Sequence, residues 1–331
     1  AVMLSAGALV LLMGGRSRHR LAAAAGLLAL WLGAWGLGGQ SWSQPAGPSL
    51  RVSLVQGNVP QALKWQPEQL LRTLKLYVRL TRKHWDSDLV IWPETAVPSL
   101  AHRMDEEFLT PLAAEAEARD SEILLGIPVY DEASGRYYNA MQTVGPVRAS
   151  YYKRHLVPFG EFMPFKPLLA PLIDWLAIPL SDFSPGDAAQ PLVPLAGHQA
   201  GISICYEDVF GEEVIQALPQ AAFLVNASND AWFGDSLAPH QHLQIARMRA
   251  RETERFLLRA TNTGISAIIG PRGELQGTAP AFSEQVLSGE IRPLQGLTPY
   301  ARFGNWAVVL LALVLMVVGL ALERRLGPAS K

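Results

Sequence analysis

An α/β domain set between two apolar helices is the architecture this sequence predicts. Two observations predict it. β-prone runs alternate with amphipathic helical runs from about residue 50 to residue 280, and an uncharged stretch of membrane-spanning length stands on either side. Alternating β and α segments are the pattern of sheets covered by helices. The 331 residues suffice for one large domain plus extra elements.

The elements follow in chain order. LRVSLVQ at 50–56 is a strand opening the domain. Residues 67–85 carry helical periodicity through Leu70, Leu71, Leu74 and Val78, with charges between them. DLVIW at 88–92 is a buried strand, 105–120 an Ala- and Glu-rich helix, and ILLGI at 123–127 another strand. Residues 137–144 and 148–153 read as a strand pair. Residues 199–205 form a strand, 209–218 a helix, 222–226 a strand and 240–259 a long charged helix. A hairpin is expected at 266–269 and from 275 onward, across the PRGE turn. No repeat at fixed period is visible.

One stretch breaks the alternation. Residues 159–183 are rich in Pro and apolar at once, which a solvated loop is not. Two readings stand: a loop folded onto its own domain, or a lid or arm that dips into a bilayer beside a site. The apolar helices at the ends favour the second.

Those ends predict topology. Residues 21–38 and 305–322 are uncharged, contain Trp, and match a bilayer core of roughly 30 Å. Arg16, Arg18, His19 and Arg20 precede the first stretch; Arg324, Arg325 and Lys331 follow the second. Positive segments face the cytoplasm. The expected plan is therefore 1–14 as the end of a truncated membrane helix, 15–20 as a cytoplasmic loop and 21–38 as a span. Residues 39–302 form an outward domain, 303–322 a span and 323–331 a cytoplasmic tail. In a Gram-negative cell that makes a multi-pass inner-membrane protein with its domain in the periplasm.

Composition excludes several classes. The formal net charge of -1 gives no bulk field for nucleic acid. A single Cys rules out an internal disulfide and zinc-finger spacing. His240 and His242 stand two residues apart before a helix with no third ligand in view, so no metal and no cofactor is expected.

The chemistry gathers at strand ends. Cys205 closes the strand in GISICYED and is followed at once by Glu207 and Asp208. Buried cysteines often pack as small hydrophobes, so the residue alone decides nothing. Glu94 follows DLVIWP, where Pro93 ends strand pairing and sets the carboxylate at the sheet rim. YYKRHLVPFGE puts Lys153 and Glu161 after a third strand. A nucleophile, a base and a cation at three strand ends form a covalent-catalysis constellation.

WPE, YxK(R)xxLVPFGE and CYE, in this order, resemble the nitrilase superfamily. The extended lysine segment, the Glu after Cys-Tyr and the flanking apolar helices resemble its membrane-anchored apolipoprotein N-acyltransferase branch. The resemblance covers roughly residues 39–299 plus the spans. It implies an αββα sandwich with a Glu94–Lys153–Cys205 triad. Glu94 would move the proton, and Lys153 would stabilise the thiolate and the oxyanion, helped by a backbone N–H near Tyr206. Glu161 is implied as a supporting carboxylate that orients Lys153 or holds its loop. Glu207 is implied as an essential neighbour, with a loop-anchoring salt bridge an equal reading. Trp65 resembles an aromatic at a substrate entrance, or is a packing Trp. Asn139, Phe162 and Trp175 are weaker substrate-contact candidates.

The implied reaction is a two-step acyl transfer. Cys205 takes the sn-1 acyl chain of a phospholipid, phosphatidylethanolamine by expectation, as a thioester. The N-terminal amine of a diacylglyceryl-cysteine lipoprotein then receives it, on a monomeric enzyme at the bilayer surface. A membrane-tethered amidase using water as second nucleophile is the rival. A non-catalytic lipid- or lipoprotein-binding scaffold is the other, and it would need none of the three residues.

Overall fold

The computed structural model describes residues 2–14, 17–145, 147–158, 160–162 and 183–326. The chain divides into two compact units, Ala1–Trp42 and Ser43–Lys331. In the first, helices α1 (Val2–Gly14) and α2 (Ser17–Gly39) are almost wholly apolar. Within α2, Arg20–Gly39 is long and apolar enough to cross a membrane, judged by length and composition.

The second unit holds two six-stranded sheets. One contains β2 (Leu50–Gln56), β3 (Leu89–Ile91), β4 (Glu122–Asp131), β5 (Arg136–Val144) and β6 (Ser150–Tyr152) in that order, with Gln285–Ile291 outside β2. β2, β3 and β4 run parallel, and the rest pair antiparallel. The other sheet runs β7 (Val193–Leu195), β8 (His198–Ile204), β9 (Phe223–Ser228), β10 (Leu257–Thr261), β11 (Ser266–Ile269) and β12 (Leu275–Ala279). Here β8, β9 and β10 are the parallel core.

Alternation along each strand builds four layers, because successive side chains leave opposite faces. Val52, Leu54, Leu89, Ile91 and Leu124 meet Ile202, Ile204, Val225, Leu258 and Ile268 in the core between the sheets. Val55, Val90, Trp92, Ile123 and Leu125 point the other way, onto Leu74, Tyr77 and Leu80 of the helix Pro67–Arg82 and Leu112 of the helix Thr110–Glu117. Leu224, Leu257 and Ile269 face Leu243, Ala246 and Ala250 of the helix Ala238–Thr253. Gly201 permits this last packing: a Cβ there would lie 2.8 Å from Ala217 and Leu224 side chains. The result is an αββα sandwich.

The structure revises three expectations. The long helix at 240–259 ends at Thr253, Glu254 turns left-handed at φ 45°, and Leu257–Thr261 is a central strand. Arg259 made that strand look like a charged helix face, yet it is fully buried. The 209–218 helix is instead a run of short turns: 3-10 at Cys205–Val209, α at Gly211–Val214 and 3-10 at Ile215–Ala217. Asp105–Leu109 is a π-helical turn leading into the helix Thr110–Glu117. At the C-terminal side, Gly304 separates Pro299–Phe303 from the helix Trp306–Leu326. Most of the expected arm at 159–183, including Trp175, lies outside the described residues.

Candidate active site

Three strand ends on the two sheets converge on one buried cluster. β3 delivers Glu94. After Ile91 the chain leaves the sheet at Trp92-Pro93, with Trp92 stacked on Tyr77 at 5.0 Å and its indole N–H on Thr81. Thr95, next to Glu94, has φ 47°, which a β-branched residue adopts only where its surroundings force it. Two features hold it. Gly126 leaves room for the turn, since a Cβ there would run into the backbone of Pro93 and Thr95. The ammonium of buried Lys64 donates to the Glu94 carbonyl at 3.2 Å and to the Thr95 hydroxyl.

Lys153 follows β6, its N–H still paired with the Asn139 carbonyl of β5. Its side chain is buried, with Nζ 3.2 Å from Glu94 Oε1 and 2.9 Å from Glu161. The Asn139 amide donates to the same two carboxyl groups, at 2.7 and 2.8 Å. Asn139 is therefore buried between carboxylates, a place different from the expected substrate contact. Glu94 Oε2 accepts a third bond, from the Asn229 N–H at 2.9 Å. Glu161 also caps the Val157 N–H at 2.8 Å.

Cys205 comes from the other sheet. β8 ends at Ile204, and Cys205 turns left-handed with φ 54°, a strained conformation for any residue with a Cβ. The Asn226 amide and His242 Nε2 hold its carbonyl at 2.9 and 3.2 Å. Burial and the nearby Glu94 charge push the thiol up to about 12, against the opposing pull of Lys153. At neutral pH the thiol is therefore protonated, and any attack by its sulfur would require removal of that proton. Burial works against the Lys153 charge, but Glu94, Cys205 and Glu161 outweigh it and hold the ammonium above the ordinary lysine range. Lys153 is a fixed cation, not a base.

Glu207 does other work. Its carboxylate accepts from the N–H groups of Ile204, Arg154 and His155 at 2.7, 2.8 and 3.0 Å, and from the Tyr151 hydroxyl at 3.0 Å. Burial raises its pKa despite those donors. It ties the Cys205 turn to the segment after Lys153 by hydrogen bonds; among the described residues it forms no ion pair. Tyr206 hydrogen-bonds the Leu156 carbonyl at 3.0 Å, with the Lys153 ammonium 6.0 Å from its ring centre. Trp65 is half exposed beside the buried Lys64. Phe162 is part-buried and bridges to Pro158.

Two residues that hold Glu94 escape the sequence reading. Lys64 stands next to Trp65 in QALKW but shows no sign of burial. Asn229 follows β9 and therefore sits at a strand C-terminus, the one signal that points to it. Its side chain binds Gln61 at 2.7 Å, tying the Trp65 loop to the same cluster.

Residues 51–300 match the carbon-nitrogen hydrolase family, and the chain belongs to it. Its sandwich resembles that of the C. elegans NitFhit protein (TM-score 0.58, 17% identity, 75% of this chain and 61% of that one). Nit3 from Saccharomyces cerevisiae, of the nitrilase superfamily, gives a TM-score of 0.54 at 20% identity, over 76% of this chain and 93% of that one. Among curated relatives, a protein of Methylococcus capsulatus named apolipoprotein N-acyltransferase is 51% identical over 87% of this chain and 57% of its own length. Proteins of the same name from Nitrosomonas europaea and Pseudomonas aeruginosa are 46% and 41% identical, over 96% and 92% of this chain and 64% and 60% of their own. The chain thus spans about three-fifths of the length of these relatives.

Proposed function

We propose that the protein is an apolipoprotein N-acyltransferase working through a thioester on Cys205. The convergence of Glu94, Lys153 and Cys205 in one buried cluster carries the reading, with the shared name of the relatives in support. In the first half-reaction the Cys205 sulfur attacks the sn-1 ester carbonyl of a phospholipid, phosphatidylethanolamine foremost. Glu94 takes the thiol proton, the S–C bond forms, the ester C–O bond breaks, and Glu94 returns the proton to the leaving lysophospholipid oxygen. In the second, the α-amine of a diacylglyceryl-cysteine lipoprotein attacks the thioester. The N–C bond forms, the C–S bond breaks, and the amine proton passes through Glu94 to the sulfur. Lys153 stays charged throughout and stabilises the developing oxyanion. Glu161 and Asn139 orient Lys153 and Glu94, while Glu207 and Tyr206 hold the turn and the lysine segment together.

The half-exposed Trp65 and the apolar segment at 159–183, with Phe162 and Trp175, would guide the acyl chain. The apolar helices Arg20–Gly39 and Trp306–Leu326 anchor the domain, as a monomer, on the periplasmic face of the inner membrane in this reading. The apolar helix α1 (Val2–Gly14) would lie in the same membrane in this reading. A water-using amidase would need neither the spans nor the apolar segment.

Intact mass of the full chain after incubation with phosphatidylethanolamine in detergent tests the proposal, with Cys205→Ser alongside. A gain of one acyl chain, removed by hydroxylamine and absent from the variant, is expected. Release of free fatty acid or ammonia without any adduct would make the protein a hydrolase.

A further inference from the structure

A second charged cluster lies beneath the nucleophile. Asp208, Asp230, His242 and Arg259 are all buried, and Arg259 and Asp208 are wholly so. They come from four places: the turn after β8, the residue after Asn229, the helix Ala238–Thr253, and β10. His242 Nδ1 lies 3.1 Å from Asp230 Oδ1 and Nε2 lies 3.0 Å from Asp208 Oδ1. Arg259 binds Asp230 Oδ2 at 2.9 Å, the Asn226 side-chain carbonyl, and stands 3.8 Å from Asp208 Oδ2.

We infer that His242 is a permanent imidazolium and a positioning residue, whose charge between Asp208 and Asp230 locks the strained turn that presents Cys205. The inference rests on the proposed role of Cys205 as nucleophile.

Hydrogen-bond chemistry carries it. An ionised carboxylate only accepts, and a neutral imidazole has one nitrogen that also only accepts. With a carboxylate oxygen at each ring nitrogen, a neutral ring would set two lone pairs against each other. Both nitrogens therefore carry protons. Charge counting agrees: two carboxylates against Arg259 alone would leave a buried net negative charge, and His242 cancels it. Burial and Arg259 draw its pKa down, but Asp208 and Asp230 outweigh them and raise it. Asp230 is correspondingly held well below the ordinary range: burial opposes this, but Arg259 and His242 prevail.

The link to Cys205 is direct. His242 Nε2 is also 3.2 Å from the Cys205 carbonyl, and Asn226, the second donor to that oxygen, is itself held by Arg259. Both donors to the Cys205 carbonyl are thus braced by this cluster. His240, two residues earlier, is exposed and takes no part.

Histidine selectively labelled with ¹⁵N in the full detergent-solubilised chain gives the first test, with the signal assigned by its loss in His242→Gln. Two protonated ring nitrogens are expected from about pH 5 to about pH 8, the range over which an ordinary histidine loses its charge. A neutral tautomer near pH 7 would overturn the inference. The second test is the rate of Cys205 alkylation by iodoacetamide. His242→Gln should slow it at least about 10-fold, and adding Asp208→Asn, which restores neutrality, should recover most of the loss. An unchanged rate in the single variant, or no recovery in the double, would remove the role of charge. Acyl transfer surviving Cys205→Ser would defeat the proposed function instead, and would leave the ¹⁵N result standing.

Discussion

Two buried charged clusters meet at Cys205, and they are balanced differently. The upper one sets a single ammonium, Lys153, between two carboxyl groups, Glu94 and Glu161, with the Asn139 amide bridging both. The lower one sets two cations, Arg259 and His242, against two carboxylates, Asp208 and Asp230. A cluster with one more carboxyl group than cations has somewhere to put a proton. A cluster of two cations and two carboxylates has nowhere, and works as a brace. On the proposed function, the difference teaches that burial of charge in this fold serves reactivity on one side of Cys205 and rigidity on the other.

Removing the reactive groups should break the upper cluster's function most completely. Cys205→Ala and Cys205→Ser should both abolish the acyl adduct while the circular dichroism spectrum and melting temperature stay close to those of the parent. Glu94→Gln keeps the shape and most of the hydrogen bonds but cannot carry the proton. A fall of about 10²–10⁴ in acylation rate is expected in single-turnover assays, the usual worth of general-base catalysis.

The lower cluster should fail by unfolding. Arg259→Met leaves Asp208 and Asp230 short of a cation in a buried site, at a cost of about 3–5 kcal/mol. The expected consequence is a large drop in melting temperature, with a loss of turnover per folded molecule well below that of Glu94→Gln, since Arg259 reaches Cys205 only indirectly, through Asn226. Equal losses of activity in folded Arg259→Met and Glu94→Gln would erase the distinction between the clusters.

Glu207 lies between the two behaviours. Glu207→Ala strips a partner from one buried and two part-buried N–H groups, and even one unsatisfied buried donor costs about 1–3 kcal/mol. Destabilisation of about 3 kcal/mol or more in chemical denaturation is expected, with Glu207→Gln retaining part of it. A variant of full stability and no activity would assign Glu207 to the chemistry instead.

Lys64 offers the finest test of the upper cluster's scaffold. Burial lowers its pKa from 10.5 to about 8, against the attraction of Glu94. Between those values the unfolded chain holds a proton that the folded chain has released, so stability rises with pH across that window. The rise amounts to at most about 3 kcal/mol. Lys64→Met should remove this contribution, read as the parent-minus-variant difference in stability, and, by freeing the Glu94–Thr95 turn, reduce acylation modestly. A parent-minus-variant difference that falls from pH 8 upward would contradict the burial of a charged Lys64, because the raised thiol of Cys205 lowers both curves alike above about pH 9.

Much of the fold was legible because strands and helices leave periodic traces. The strands at 50–56, 88–92 and 222–226 announce themselves as apolar runs, and the pair at 137–153 and the hairpin from 266 follow from alternation and turn residues. The strand β10 stayed hidden because buried Arg259 mimics a solvated residue, and nothing local reveals the carboxylates that receive it. The same limit explains the site. Glu94, Lys153 and Cys205 stand out because each follows a strand, where sheets build their sites. Lys64, Asn229 and His242 act through partners far along the chain, and a linear reading sees only a lysine, an asparagine and a lone histidine.

The sequence by itself therefore determined the alternation of strands and helices and the apolar helices at the ends, and its motifs singled out Glu94, Lys153 and Cys205 as the proposed trio. These depend on periodicity and on residue type, which are local properties. The tertiary structure alone decided the burial of the Cys205 thiol beside Glu94, the hydrogen bonds of Glu207 and the pairing of Asp208, Asp230, His242 and Arg259. Those depend on burial and on which charges share a low-dielectric interior, and such neighbours are chosen only when the two sheets close on one another.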